Sequence, residues 1–392
     1  MTVNTQTLEA QHTSGVYAKR DLVIVRGRGA LVWDEQGNEY IDCAAGHGVA
    51  NLGHCHPAVV AAITEQAQRL ITCPEVFYND RRAALMERLS SLGPQGMRRV
   101  FLCNSGAEAV EGAFKFARFS SGRTNFVACL RAFHGRTFGA LSATYNKKYR
   151  EPFDPLLPGF QHVPYNNLEK LDAAVDENTA GVILEVVQGE GGVHAGTREF
   201  LLGAQEICRQ RGALLIIDEV QTGFGRTGKL FASQHHGLQP DLLCLAKSLA
   251  GGVPIGALLI GERVREIPVG IHGSTFGGNP LAAAAGLAAL DAIEKENLCE
   301  RSAELGEYFL KKLDALDAAA IREVRGIGLM IGVETRQKVA PYIGALKERG
   351  ILALNAGPTV LRFLPPLVIK REQIDRIVEA VDDVLTNVRG EE

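Results

Sequence analysis

The stretch RRVFLCNSGAEAVEGAFKFARFSSG (98–122) holds the plan of the fold. An apolar run short enough for a strand meets a turn of small polar residues, and a helical pattern follows. Ser105 and Glu108 fit S-x-x-E, the capping box that satisfies free N–H groups at a helix start. The unit recurs downstream in TNFVACL (124–130), AGVILEVV (180–187), GALLIIDEV (212–220) and ALLIGERV (257–264), each apolar run set off by helical stretches. Strands separated by helices imply a mostly parallel sheet covered on both faces, so an α/β fold is predicted. Its large domain is expected to span 51–290, with helices at 57–71 and 80–92.

Outside that core the pattern changes. Residues 22–42 alternate like strands around two turn signals, GRG and DEQGN. A charged helical stretch at 292–316, a strand-like run at 321–334 and a helix at 371–387 point to a smaller α/β domain over 291–392. Residues 1–50 are expected to join it. In the last helix Ile374, Ile377, Val378, Val381, Val384 and Leu385 share one face.

The bulk numbers narrow the function. A net charge of -3, from 42 basic and 45 acidic residues without a basic stripe, speaks against nucleic acid. The 8 cysteines form no CxxC pair and read as reduced thiols. The polar N-terminus lacks the apolar stretch of a signal peptide, and no apolar run is long enough to span a bilayer. A cytoplasmic enzyme without membrane contact is the expectation. Many of the 43 glycines cluster where apolar runs end, as where backbone approaches a ligand.

Several motifs carry chemistry. Gly106 and the Ser105 hydroxyl could grip a phosphate at the positive end of a helix. Asp218 ends an apolar strand where α/β sheets place ligands, whereas alternation turns Glu219 the other way. GFGRTGK (223–229) matches two nucleotide patterns poorly: its first glycine stands off the strand, and Leu230 replaces the magnesium-binding Ser or Thr. HCHP (54–57) and the pair at 235–236 make a poor four-ligand set, so no metal is expected. The sharpest signal is DLLCLAKSLAGGVPIGAL (241–258), where Lys247 interrupts an apolar run. A lysine partly removed from water has a depressed pKa and suits imine formation.

Taken in order, NSGAEA (104–109), FHGRT (133–137), ILEVVQGEGG (183–192), IIDEVQTGFGRTG (216–228), LAKSLAGGVPIGA (245–257) and HGSTFGGNPLA (272–282) resemble the class III, fold-type I aminotransferases. These use pyridoxal 5'-phosphate (PLP). The likeness covers nearly the whole chain. SGVYAKRDLVIVRGRGALVWDEQGNEYIDC (14–43) and the ending resemble acetylornithine aminotransferases, and more closely the branch of aminoadipate semialdehyde transaminases whose substrates ride on the LysW amino-group carrier protein.

The resemblance implies site residues by position. Lys247 would carry the cofactor as an imine and shuttle a proton; Asp218 would hold the ring nitrogen protonated. Phe133 would stack on the ring. Ser105, Gly106 and Ala107 would hold the phosphate, joined by Thr275 of a partner subunit in a homodimer. The segment Asp218, Glu219, Val220 and Gln221 belongs to the cofactor site, Gln221 touching the phenolic oxygen. Arg136 would bind a substrate carboxylate with Ser274 nearby, and Arg362 the α-carboxylate of glutamate, paired by Glu190 in the other half-reaction.

The function so implied is transfer of a terminal (ε or δ) amino group between LysW-bound lysine or ornithine and 2-oxoglutarate, serving lysine and arginine biosynthesis. N-acetylornithine aminotransferase is the close alternative, since both block the α-amine. An amino mutase, a nucleotide-dependent enzyme and a non-catalytic PLP-binding regulator stay open. Lys19, Arg20, Arg26 and Arg28 form a candidate docking cluster for an acidic carrier.

Overall fold

The chain enters through β1 (Ile24–Arg28), β2 (Leu31–Asp34) and β3 (Glu39–Asp42), turned where the glycine-bearing segments predict. The computed structural model describes residues 4–388. Next come β4 (Arg99–Cys103), β5 (Asn125–Cys129), β6 (Phe160–Val163) and β7 (Thr179–Glu185). A small hairpin, β8 (Val187–Gln188) and β9 (His194–Ala195), precedes β10 (Leu214–Asp218), β11 (Leu242–Leu245) and β12 (Gly256–Ile260). A 7-stranded sheet runs in the order β4-β12-β11-β10-β7-β5-β6. The ladder from β11 to β6 is parallel, and β12 alone opposes its neighbours.

β7, β10, β11 and β12 are buried along their full length. That is why they read as unbroken apolar runs rather than alternation. The pleat sorts their side chains between two cores. Val182, Leu184, Leu215, Ile217, Leu243 and Leu245 face one, while Ile183, Leu214, Ile216, Leu242 and Cys244 face the other. The helix Gly106–Ser121 closes the second core with Ala109, Val110, Ala113 and Phe114.

Past residue 320 an antiparallel sheet forms from β13 (Ile321–Ile327), β14 (Met330–Thr335), β16 (Leu354–Asn355) and β17 (Val360–Phe363). Between them β15 (Ile351–Leu352) pairs in parallel with β3, tying the N-terminal strands to this region. The helix Arg371–Asn387 buries the six apolar residues expected of it.

Two readings need correction. The single strand read over 321–334 is a hairpin that reverses at Gly328, which has φ 56. A two-residue turn inside an apolar run leaves no gap in periodicity, so only the left-handed glycine marks it. The helix read over 292–316 is two helices, Pro280–Lys295 and Leu298–Asp314, broken at Asn297 with φ 49.

GFGRTGK is a run of turns rather than a helix start. Its Arg226 is wholly buried and donates to the carbonyls of Leu329 (2.9 Å) and Pro365 (2.6 Å) and to Asn51 Oδ1 (2.5 Å). Burial pulls its pKa down to about 9. The histidines have ordinary partners: His54 Nε2 lies 2.8 Å from Asp42, His56 Nε2 2.9 Å from Glu296, and His235 Nε2 3.0 Å from the Thr227 carbonyl.

Candidate active site

The carboxyl ends of β4, β5, β7, β10 and β11 converge at one side of the sheet, where α/β folds bind ligands. A cavity of about 440 Å³ opens there. Ser105, Gly106, Ala107, Phe133, Arg136, Glu190, Asp218, Val220, Gln221 and Lys247 all border it.

Lys247 follows β11 with φ 40, a left-handed conformation that costs a side-chain-bearing residue about 1–2 kcal/mol. Such a turn aims the side chain into the cavity instead of along the strand. The amine has no hydrogen-bond partner among the described residues. Burial lowers its pKa to about 8, against a counter-pull from Glu190.

Asp218 ends β10. One carboxylate oxygen accepts the Val220 N–H at 3.0 Å, and the other lies 2.8 Å from His134 Nδ1. Glu219, expected in the cofactor site, turns away as the pleat demands. Its carboxylate takes the Thr222 hydroxyl and the N–H groups of Ala232 (2.9 Å) and Ser233 (2.7 Å), and burial raises its pKa. It braces the loop from behind.

At the helix start, Ser105 Oγ accepts the Glu108 N–H at 3.2 Å, as a capping box requires. The Glu108 carboxylate closes on the Asn104 N–H rather than that of Ser105. The N–H groups of Gly106 and Ala107 have no partner among the described residues, and both residues border the cavity at the positive end of the helix. A Cβ on Gly106 would meet Val220 Cγ1 at 2.7 Å, so only glycine allows this approach.

Arg362 is wholly buried on β17. It pairs with Glu190 at 2.6 Å and donates to Gln221 Oε1 at 3.2 Å. Burial alone would raise the pKa of Glu190, but the charge and hydrogen bond of Arg362, with Lys247, bring it below the ordinary value. Arg136 is exposed, its guanidinium 3.5 Å from the Tyr149 ring centroid. Ser274 accepts from Asn104 Nδ2 at 3.0 Å, beside the cavity rather than in its wall. Thr275 is exposed and does not border this cavity.

Two residues went unnoticed in the sequence. His134 and Glu185 are buried next to Asp218, and both border the cavity. Glu185 ends an apolar strand just as Asp218 does, and that signal was there to be read.

PLP needs three things: an amine for its aldehyde, an acid for its ring nitrogen and an anion cradle for its phosphate. Lys247, Asp218 and the Ser105–Ala107 turn could supply them. The Gly106 and Ala107 N–H groups, without a partner among the described residues and bordering the cavity, make the fit specific. GFGRTGK, a run of turns, opens no α-helix that could seat a nucleotide's phosphates.

Comparison with known proteins agrees. A "[LysW]-aminoadipate semialdehyde transaminase" of Deinococcus radiodurans is 53% identical over 388 residues, 98% of this chain and 90% of that protein. An "Acetylornithine aminotransferase" of Methanothermobacter thermautotrophicus is 46% identical, over 97% of this chain and 98% of that one. The crystal structure of ornithine aminotransferase from Toxoplasma gondii, with PLP at partial occupancy in its active site, superposes with a TM-score of 0.93. It is 37% identical and covers 97% of this chain and 93% of its own. The family model "Aminotransferase class-III" matches residues 14–385, so this chain belongs to the class-III aminotransferases and is a PLP-dependent transaminase.

Proposed function

We propose that this enzyme moves a terminal amino group between LysW-bound lysine or ornithine and 2-oxoglutarate, in lysine and arginine biosynthesis. The relative at 53% identity supports the carrier-linked branch. One feature of this chain carries the reading. A larger basin of about 820 Å³ adjoins the cavity, the two sharing Phe133 and Glu190. Its wall bears Arg131, Lys147, Lys148, Arg322 and Arg325; Arg322 and Arg325 pair with Glu334, and Arg325 also with Glu323, which leaves Arg131 and the two lysines to give the basin its sign. Lys147 and Lys148 are exposed and form no ion pair among the described residues. A free amino acid would leave most of such a basin empty; an acidic polypeptide beside its amine-bearing arm would match it in size and sign. The N-terminal cluster is a poorer dock, because Lys19 pairs with Glu9 and Arg26 lies 4.3 Å over the Trp33 ring.

Within the cavity, bound PLP supplies an electron sink for the C–H bond that breaks. Lys247 would hold the cofactor through its aldehyde, and its amine is the base placed to move a proton from the substrate carbon. Asp218 keeps a proton on the ring nitrogen. Phe133 would pack against the ring and Gln221 would reach its phenolic oxygen, both residues bordering the cavity. Ser105, Gly106 and Ala107 bind the phosphate, with Thr275 supplied by the second subunit of a homodimer. The exposed Phe77, Tyr78 and Phe276 support such a pairing. Arg136 orients a carboxylate. Arg362 takes the α-carboxylate of glutamate when Glu190 releases it, so one pocket serves a dicarboxylate and a blocked amine in turn.

Steady-state turnover of carrier-bound substrate beside N-acetylornithine tests this. Lys147→Glu with Lys148→Glu is expected to lower kcat/KM about tenfold on the carrier-bound substrate alone, at up to about 1 kcal/mol for each exposed charge. Equal effects on both substrates, or none, would remove the docking role. Faster turnover of N-acetylornithine by the native enzyme would move the assignment to that substrate.

A further inference from the structure

The two arginines of the scheme above are held in different ways. Arg362 is buried and directs its donors at Glu190 and Gln221. Arg136 makes no hydrogen bond and no ion pair among the described residues. Its Cζ instead lies 3.5 Å from the ring centroid of Tyr149 and 5.5 Å from that of Phe133. A separation of 3.5 Å means contact with the ring face, since a group meeting the ring edge would stand roughly 5 Å or more from the centroid. A guanidinium lying on a ring keeps its N–H groups in its own plane, pointing outward past the ring. The contact fixes that plane and uses none of the donors.

Tyr149 has no part in that scheme. It belongs to a short helical turn, Lys147–Arg150, whose first N–H groups are taken by Asn146. The Asn146 side chain accepts the Lys148 N–H at 3.0 Å, and its carbonyl accepts the Tyr149 N–H at 3.0 Å. The Tyr149 ring meets Phe133 edge to face, with 6.3 Å between centroids and 87° between planes. Its hydroxyl has no hydrogen bond among the described residues, so the ring face is what it offers. Arg136 borders the cavity, Tyr149 the basin and Phe133 both. The three side chains therefore meet where cavity and basin adjoin.

We propose that Tyr149 is a positioning residue for Arg136: its ring face presents the guanidinium, donors free, to the substrate carboxylate at the junction of cavity and basin. The inference rests on the carboxylate-binding role proposed above for Arg136 and names the group that makes it effective. An exposed arginine samples many rotamers, and a carboxylate that binds it must halt that motion. The Tyr149 face halts it beforehand, and cation–π attraction keeps the group there. The two arginines then differ in readiness. Glu190 occupies Arg362 until a carboxylate displaces it, whereas no acid competes for Arg136. A tyrosine that merely packed this surface would matter equally to amines with and without a carboxylate.

The test is the single-turnover half-reaction, followed by the absorbance of bound PLP, with N-acetylornithine and with N-acetylputrescine, the same amine without its carboxylate. Native enzyme is compared with Tyr149→Phe, Tyr149→Leu, Arg136→Ala and the double variant of Tyr149→Leu with Arg136→Ala. Tyr149→Leu is expected to raise the half-saturating concentration of N-acetylornithine about threefold to tenfold, the worth of a cation–π contact, while the maximal rate changes much less. N-acetylputrescine should not distinguish Tyr149→Leu from native enzyme. Tyr149→Phe should behave as native with both amines. Once Arg136 is removed, Tyr149→Leu should cost nothing further. Native half-saturation in Tyr149→Leu, an equal loss with both amines, no rescue by phenylalanine, or additive losses in the double variant would each overturn the proposal. Should Tyr149→Leu not fold, Tyr149→Met, which keeps bulk without a π face, decides by the same comparison. Native handling of N-acetylornithine by Arg136→Ala would sink the carboxylate-binding assignment instead, so the two failures are distinct.

Discussion

Lys247 shows how one residue acquires chemistry from its surroundings. Free lysine amines are protonated until about pH 10.4 and make poor nucleophiles at neutrality. Here desolvation, opposed by Glu190 and helped by Arg362, lowers the pKa to about 8. A lowered value enlarges the neutral, reactive fraction, which is about half at pH 8 and nearly complete about one unit higher. Stopped-flow absorbance of apoprotein mixed with PLP should show a capture rate that climbs to a plateau above pH 9. A rate still rising past pH 10 would contradict a desolvated amine. Lys247 was legible because a lone cation inside an apolar run is conspicuous. Its φ of 40 was not, since nothing in AKSL calls for a left-handed residue.

The helix Gly106–Ser121 gains its function from its first turn. Ser105 caps it, and the two following N–H groups are left for an anion. The turn can approach β10 only because Gly106 has no side chain, as Val220 fills the space where a Cβ would stand. Gly106→Ala should therefore overpack the joint and cost about 1–3 kcal/mol of unfolding free energy. Urea denaturation would measure it, and Val220→Ala added to Gly106→Ala should restore part of the loss. Additive losses would mean that the two side chains do not compete. The capping residues announce this helix start in the sequence. The contact with Val220 does not, because it joins positions far apart in the chain.

Arg226 links the large sheet to the C-terminal region. From the loop after β10 it reaches the carbonyls of Leu329 and Pro365 and the amide oxygen of Asn51, and it forms no ion pair among the described residues. Its worth lies in satisfying acceptors that nothing else reaches. Arg226→Met keeps volume and loses every donor, so stability should fall by about 1–3 kcal/mol for each acceptor left buried and unpaired. A denaturation midpoint equal to that of native protein would show that those oxygens find other partners. The same loop holds Arg362, on β17, through Gln221, which borders the cavity, so the site draws on segments more than 100 residues apart.

Local rules reach far in this chain. Apolar runs and helical stretches follow one another so regularly from Arg99 to Ile260 that most strands of the large sheet and its mainly parallel order are legible in the sequence, whereas the short β6 and the β8–β9 hairpin are not. Lys247 and Asp218 declare themselves because charge at the end of an apolar strand is expensive unless it is used. Distance in space is what such rules cannot supply. The hairpin at Gly328, the retreat of Glu219, the bond between His134 and Asp218 and the basic basin around Lys147 all arise when remote segments pack. Their energies depend on neighbours that no short window of sequence contains.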